Sequence, residues 1–583
     1  VSEGLERVGL TLVESTDELL DLREWLGRSR DWLGFDLETT GVNLGRDRVR
    51  LAQLGDRDHG WAIPCEGPNS FYGAFKELIE AYDSSPLVAH NLIFDSAFLK
   101  RDGVTVPQHL AEDTMVMAQL VTSHLPVGLK PVASRLVDKK ALAGQVVLHE
   151  AMKKQGWDWD TVPLDFPPYW QYGALDPVLT CRIAEKLWPK VRDRYRRSYD
   201  IELGSIHALR DAELRGMRVD VDFCRKTSLE LEAEIAALSP KLPCNPNAPK
   251  QVVEFLQSRG ATLTKRTEKG HLAADDEVLE YWEGKIPECH DMRRYRECSK
   301  LKGSYFDKLL KIEADDRVHP SVRVLGAQKT GRMSITEPAL QTLPKSSVGR
   351  DAFIADEGET LISADFSGIE LRLLAHMADE ENMISRFCSG EDLHKWTAQE
   401  IFGLQSLEEV VYEQRNVAKT SGYAKIYGAG VTKFAYSAGL SESEAASVLE
   451  RYDALFPRVA AFQEQVSQEV HESRGGDKGW GEVHTEFGRR LFVPKDEAYK
   501  GVNYRDQGTA GEVLKLKIIE LAQAGLGPQI LLPIHDEVVF SVPDDSLDEA
   551  VATIEEVMPE TEHFKVPLTV DVDTTKRWGA LYA

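Results

Sequence analysis

The sequence predicts an α/β protein built from several domains, and three observations carry that reading. The chain has 583 residues, which at about 150 residues per domain leaves room for roughly four domains or large subdomains. It contains 42% apolar and 28% charged residues and no low-complexity tract, so it can bury several cores and is not a disordered chain. Strand-like and helix-like patterns alternate in residues 1–190 and again in 326–583, with a helix-rich, charged stretch between them.

The elements follow in order. DWLGFDLE and RVRLAQLG read as strands, FYGAFKELIEAY as a helix and PLVAHN as a strand; FDSAFLKRDG and YGALDPVLTCRIAEKLW read as helices. From about 195 to 325 helix signals dominate, as in IHALRDAELRG and TSLELEAEIAALSPKL, with a Pro/Asn-rich break, PCNPNAP, at 243–249. In the last part TLISADF is strand-like and IELRLLAHM helical, long helices fill 391–470, and ILLPIHDEVVFSVP has the form of a β-hairpin. No repeat or flexible linker separates the parts, so they are expected to pack as one body.

Net charge is −25, from 70 Lys+Arg against 95 Asp+Glu, which leaves no general basic footprint for nucleic acid. The charge is uneven. Residues 541–564 carry eight acids and no Lys or Arg, whereas 292–302 (MRRYRECSKLK) carry five Lys/Arg against one Glu. An acidic protein can hold a local basic groove, and such a run is as often a solvated helix face. The seven cysteines are scattered and never spaced CxxC, which fits a reducing compartment and argues against a disulfide framework or a structural zinc. No run of 18 apolar residues and no basic-then-apolar leader occurs, so a soluble intracellular protein is expected.

Two constellations carry chemistry. Asp36 and Glu38 lie two apart on a strand and share a face. Asp95 opens a helix, and Tyr172 and Asp176 stack one turn apart on another. Singly each acid is as well explained by a cap or a solvated charge. Together, four acids and a tyrosine suit two divalent cations with oxygen ligands and a water activated to attack a phosphodiester. In the second constellation Asp365 ends a strand, and Asp536 and Glu537 interrupt an apolar hairpin, which is costly unless the acids bind something. Two aspartates at strand ends suit a pair of metals about 4 Å apart for in-line phosphoryl transfer. Arg415, Lys419, Tyr423 and Tyr427 recur every four residues. Each step advances about 40° round a helix, so one broad stripe offers two cations to a triphosphate and two rings to a base. Gly428 and Gly430 then end the helix.

The first set, in its order, resembles the DEDD family of 3′–5′ exonucleases in the form with a tyrosine in its third motif. That resemblance implies a ribonuclease H-like fold, with Asp36, Glu38, Asp95 and Asp176 binding metals and Tyr172 orienting the attacking water. It places Asn91 and Thr39 beside the primer end. Pro177 directly follows Asp176, so a kink is expected there. The second set resembles the three motifs of the family A DNA polymerases: DFSGIELR at 365–372, RNVAKTSGYAKIYG at 415–428 and HDE at 535–537. TGRMSITEPALQTLP at 330–344 matches the segment that runs from thumb to palm, and the resemblance covers nearly the whole chain.

It implies an exonuclease domain over 1–190, a thumb over 191–325, and the palm and fingers over 326–583, the fingers at about 380–480. Asp365 and Asp536 would bind two Mg2+ ions, with two further divalent cations in the exonuclease site. Arg415, Lys419 and His394 would grip the incoming triphosphate, Lys419 donating a proton to the leaving pyrophosphate. Tyr427 and Glu370 would floor the sugar, Tyr423 would face its 3′ position, and the catalytic Glu537 would lie near the primer end. Arg332, Asn503, Gln507 and His535 would touch primer, template or nascent minor groove. The implied partners are primer-template DNA and dNTPs, for a monomer with no membrane attachment.

Departures from the common pattern are Phe366 and Gly368 in place of Tyr and Gln, and Tyr499 and Lys500 where an Arg is often found. With 156 residues from Asp176 to Arg332 and no 5′-nuclease expected ahead, the layout looks like a bacteriophage replication enzyme of the host cytoplasm. A single-subunit RNA polymerase shares the polymerase motifs, but the exonuclease set and the bulk of Glu370 oppose it. An exonuclease with a silent C-terminal half is opposed by Asp365, Asp536, Arg415 and Lys419.

Overall fold

The computed structural model describes residues 5–582 apart from 69, 108, 268, 312–315, 344–347 and 474–478. Val1, and Pro344 at the end of the thumb-to-palm segment, therefore lie outside the described residues.

Six strands build the first sheet: β1 (Gly9–Leu12), β2 (Leu33–Thr39), β3 (Val49–Gly55), β4 (His59–Pro64), β5 (Leu87–Ala89) and β6 (Ala111–Asp113), in the order β1-β4-β3-β2-β5-β6. The central β3 is buried along its length, and β2 alternates, with Phe35 and Leu37 inward and Asp36 and Glu38 half-buried on the other face. Helices α1 (Leu92–Arg101) and α3 (Pro167–Arg194) pack on this sheet, and α2 (Leu129–Leu136) packs on α3. Pro177, where a kink is expected, does not end α3, which runs on through Pro177 and Pro189. The missing donor is tolerated because the helix seats there on the sheet: a Cβ on Gly34 would come within 2.4 Å of the Pro177 carbonyl oxygen.

Helix α4 (Arg196–Arg215) follows and is buried on both sides. It packs on α1 and the helix Thr114–Thr122 of the first sheet, and on α6 (Gly501–Leu521) and β8 (Ile530–Ile534) of the last part. One continuous apolar core accordingly extends from Val13 to Trp578. The middle part has a smaller core of its own around Val252, Leu256, Leu279 and Met292. The arginines of its basic run sit part-exposed and are each engaged by acids or carbonyls. Arg293 pairs with Asp276 and Glu283, Arg294 with Glu234 and Glu297, and Arg296 donates to the carbonyls of Pro246 and Ala274.

The last part centres on an antiparallel sheet of β7 (Glu359–Phe366), β8, β9 (Glu537–Pro543) and β10 (Val570–Thr575), in the order β8-β9-β7-β10. Beside it stand helices Glu381–Ser389 and Leu393–Phe402, α5 (Tyr412–Ile426), and helices Val431–Ala438, Glu442–Leu455 and Pro457–Glu472, around a second core. Tyr281 of the middle part stacks on Tyr436 of this helical group, ring centroids 4.4 Å apart. All seven cysteines are free thiols. Among the described residues no helix is long and apolar enough to cross a membrane.

Candidate active sites

The alternation of β2 sends Asp36 and Glu38 to one face, and α3 lays Asp176 against them. One carboxylate oxygen from each lies within 4.8 Å of the others. Burial pushes the Asp36 carboxyl up to about 7. Burial, with Asp36 beside it, pushes Glu38 up to about 8. Acids crowded in this way favour a cation, and an all-oxygen donor set suits a hard divalent one. Asp95 stands next to this cluster rather than within it. Its carboxylate accepts from the Leu37 N–H at 3.1 Å, and burial, then Asp36, raises it well above the carboxylate range. Tyr172 lies one turn before Asp176 with its phenol raised by burial and by Glu38 and Asp36.

Asn91 precedes α1 in the left-handed region, φ 84°, and Thr39 donates to the Gly41 carbonyl at 2.6 Å. A cavity of about 410 Å³ opens beside Asn91, walled by Val42 and Phe94 on one side and by Glu213, His319 and Arg323 on the other. The sequence reading missed Lys130 of α2, whose ammonium pairs with Asp176. In sequence a lysine near a helix start reads as a solvated charge.

In the second site β7 runs antiparallel beside β9, so that its Asp365 end lies at the tip of the β8–β9 hairpin. The Phe366 N–H donates to the Asp536 carbonyl at 3.1 Å, and Asp365 pairs across the sheet with Glu537. His535, φ 54°, turns the chain so that Asp536 stands at the tip; its exposed ring nitrogen is 3.1 Å from the Gln341 carbonyl oxygen. Glu537, expected near the primer end, is turned inward: 1% exposed, it accepts from Ser363 Oγ at 2.6 Å and faces Arg350 at 4.0 Å. A strand register that puts Asp536 at the turn must point its neighbour into the sheet. Gly368, one of the departures, caps the helix after β7 with φ 62°, a conformation that glycine adopts without strain.

Arg332 Nη2 donates to Glu370 Oε1 at 2.7 Å and to Asp536 Oδ1 at 3.2 Å. The Tyr427 hydroxyl is 3.3 Å from Glu370 Oε2, and Gln507 Nε2 donates to that hydroxyl at 2.9 Å. Tyr423 lies against the second core, its phenol pushed up to about 12 by burial and then by Glu370 and Asp536. Arg415 donates to Asp392 at 2.9 Å, and Asp392 caps the helix that carries His394. Burial, then Arg415, pushes His394 down to about 4, so its imidazole is neutral at pH 7. Lys419 is exposed on the same stripe.

Asn503 stands one turn before Gln507 on α6, with a buried Nδ2 that has no acceptor among the described residues. Asp506 of the same helix, which no sequence motif singles out, is fully buried. Its carboxyl is raised by burial and then by Glu370.

Two carboxylate centres on separate sheets, one of them overlooked by a cationic and aromatic helix, define a nucleic-acid polymerase with an exonuclease attached. The chain belongs to DNA polymerase family A: the profile of that family matches residues 221–580, and the profile of a 3′–5′ exonuclease matches residues 11–192. It is a DNA-directed DNA polymerase with a 3′–5′ exonuclease domain, and both kinds of domain depend on divalent cations. The chain is 28% identical to the DNA polymerase of Mycobacterium phage L5, over 99% of this chain and 97% of the phage protein. It is 31% identical to DNA polymerase I of Pseudomonas aeruginosa, over 95% of this chain and 64% of that protein. Among solved structures, the POL domain of Pol1 from M. smegmatis in complex with DNA primer-template and dNTP has the same fold, with a TM-score of 0.80 at 24% identity, covering 98% of this chain and 99% of that one.

Proposed function

We propose that the chain extends a primer 3′ end on a DNA template at Asp365 and Asp536, and removes mispaired ends at Asp36, Glu38, Asp95 and Asp176. The observation that carries the reading is the linked set Asp536–Arg332–Glu370–Tyr427–Gln507, which surrounds an aspartate at a hairpin tip with positioned side chains from four separate segments. Two Mg2+ ions in the polymerase site, and two divalent cations in the exonuclease site, would supply charge neutralisation and an activated oxygen nucleophile. Arg415, Lys419 and neutral His394 hold the triphosphate, and Lys419, exposed on the stripe, is the proton donor to pyrophosphate. Tyr427 and Glu370 floor the sugar under Tyr423. Arg332, Asn503, Gln507 and His535 contact the duplex, and buried Glu537 supports Asp365 across the sheet. In the exonuclease site Tyr172 orients the water, while Asn91 and Thr39 steady the primer end.

In this reading residues 1–190 form the exonuclease domain, 191–325 the thumb and 326–583 the palm and fingers. The protein works as a monomer on primer-template DNA and dNTPs, in phage DNA replication in the host cytoplasm. Primer extension with dNTPs, with rNTPs and with no nucleotide tests it. Asp365→Ala or Asp536→Ala should each lower extension by about a thousandfold while primer-template affinity stays within a few-fold, because phosphate contacts dominate affinity. More than a few per cent residual activity would place the site elsewhere.

A further inference from the structure

One charged side chain that the family resemblance does not name reaches into the exonuclease cluster. Lys130 is only 5% exposed, and lysine is almost never buried unless it is paired. Its ammonium contacts Oδ1 of Asp176 and lies 4.1 Å from the centroid of the Tyr172 ring. Asp36 and Glu38 face the same ammonium from β2. One cation therefore touches two of the groups proposed for the hydrolysis and balances the charge of two more, Asp36 and Glu38.

The contacts have geometric content. A carboxylate offers two oxygens, so an ammonium held at Oδ1 fixes the plane in which Oδ2 of Asp176 is presented to a cation. A charge over the face of a phenol ring fixes that ring as well, and with it the direction of the Tyr172 hydroxyl. Proline follows Lys130 in GLKPVASRL and presets the backbone of this first helical turn. The lysine thus rises from a stiff base.

We propose that Lys130 is a positioning residue of the exonuclease centre, holding the Asp176 carboxylate and the Tyr172 ring in their working orientation. The proposal rests on the reading of Asp36, Glu38 and Asp176 as the 3′–5′ exonuclease site. It assigns Lys130 no part in DNA synthesis.

Lys130→Met and Lys130→Arg, made in the full chain, test it with a 3′-labelled single-stranded oligonucleotide and no dNTPs. Lys130→Met should lower kcat for end removal by about 10- to 100-fold, the effect of losing one charge-assisted hydrogen bond from the reacting geometry. KM, and oligonucleotide affinity measured by anisotropy in EDTA, should stay within about threefold of wild type. Lys130→Arg keeps the charge and a donor and should restore most of the lost rate, which a purely space-filling role would not predict. Extension by the same preparations should be unchanged, and this also reports that the variants are folded. Wild-type kcat in Lys130→Met, or a loss confined to affinity, would overturn the proposal. Asp36→Ala with Glu38→Ala serves as the control: if that variant still degrades 3′ ends, the site reading itself fails. If it is inactive while Lys130→Met is not, only the role of Lys130 fails.

Discussion

Tyr423 shows how much one hydroxyl can decide. Its ring lies on the stripe shared with Arg415 and Lys419, against the second core, and burial with Glu370 and Asp536 keeps its phenol protonated at neutral pH. A normal nucleotide has a 3′-OH that can donate to its own phosphate, and a dideoxynucleotide lacks it. A phenolic hydroxyl can replace that donor, whereas a phenyl ring cannot. The bond to a charged phosphate is worth about 1.5–3 kcal/mol, or roughly ten- to a hundredfold in selection. Wild-type enzyme should therefore accept dideoxynucleotides almost as readily as normal ones, and Tyr423→Phe should reject them by at least about tenfold. Termination frequency at known ddNTP:dNTP ratios measures this. Strong rejection by the wild type would mean that Tyr423 does not face the sugar.

At the scale of elements, a buried ion cluster joins three of them behind the polymerase site. Glu202 of α4 is fully buried and pairs with Arg489, from the hairpin formed by Trp480–His484 and Arg490–Pro494, and with Lys515 of α6 at 2.7 Å. Lys515 also donates to the Gly331 carbonyl at 2.7 Å. Gly331 has φ 77°, and a Cβ there would come within 2.6 Å of the Arg489 guanidinium carbon. The cluster thereby seats the residue next to Arg332. Glu202→Ala would leave two buried cations without their shared acid, at a cost of about 3–5 kcal/mol. The first thermal unfolding midpoint should fall by several degrees, as should extension at temperatures near it; an unchanged midpoint would show that the two cations do not depend on Glu202.

This cluster also marks the limit of reading by sequence. The strands and helices that carry the motifs follow local periodicity, and so the hairpin at Asp536, the α5 stripe and the β2 pair were all legible. Glu202 finds its partners 287 and 313 residues away, and Lys130 finds Asp176 from another helix. No local pattern separates such residues from solvated charges. The pairings of the basic run at 292–302 are hidden in the same way: Arg294 meets Glu234, 60 residues upstream.

At the scale of the molecule, the two activities should be separable chemically but not physically. Asp36→Ala with Glu38→Ala removes carboxylates from one face of β2 and touches nothing in the palm, so primer shortening should stop and extension should continue at the wild-type rate. Removing residues 1–192 is a different operation. Helix α4 stays behind, and it meets the first domain directly: the Asp113 N–H donates to the buried Tyr199 hydroxyl at 2.9 Å, and Lys100 forms a half-exposed pair with Asp211 at 2.6 Å. On its other side α4 supports α6 and β8, which position Gln507 and the Asp536 hairpin. Deletion would expose an apolar face within the continuous core, and each large side chain uncovered costs about 1.5–3 kcal/mol. The 193–583 polypeptide should aggregate, or melt at least about 10 °C below the full chain, and extend primers poorly. The comparison is a pair of melting curves with extension rates on the same samples. Full stability and full activity in the shortened chain would show that α4 holds its position without the sheet that covers it, and that the two parts are independent bodies.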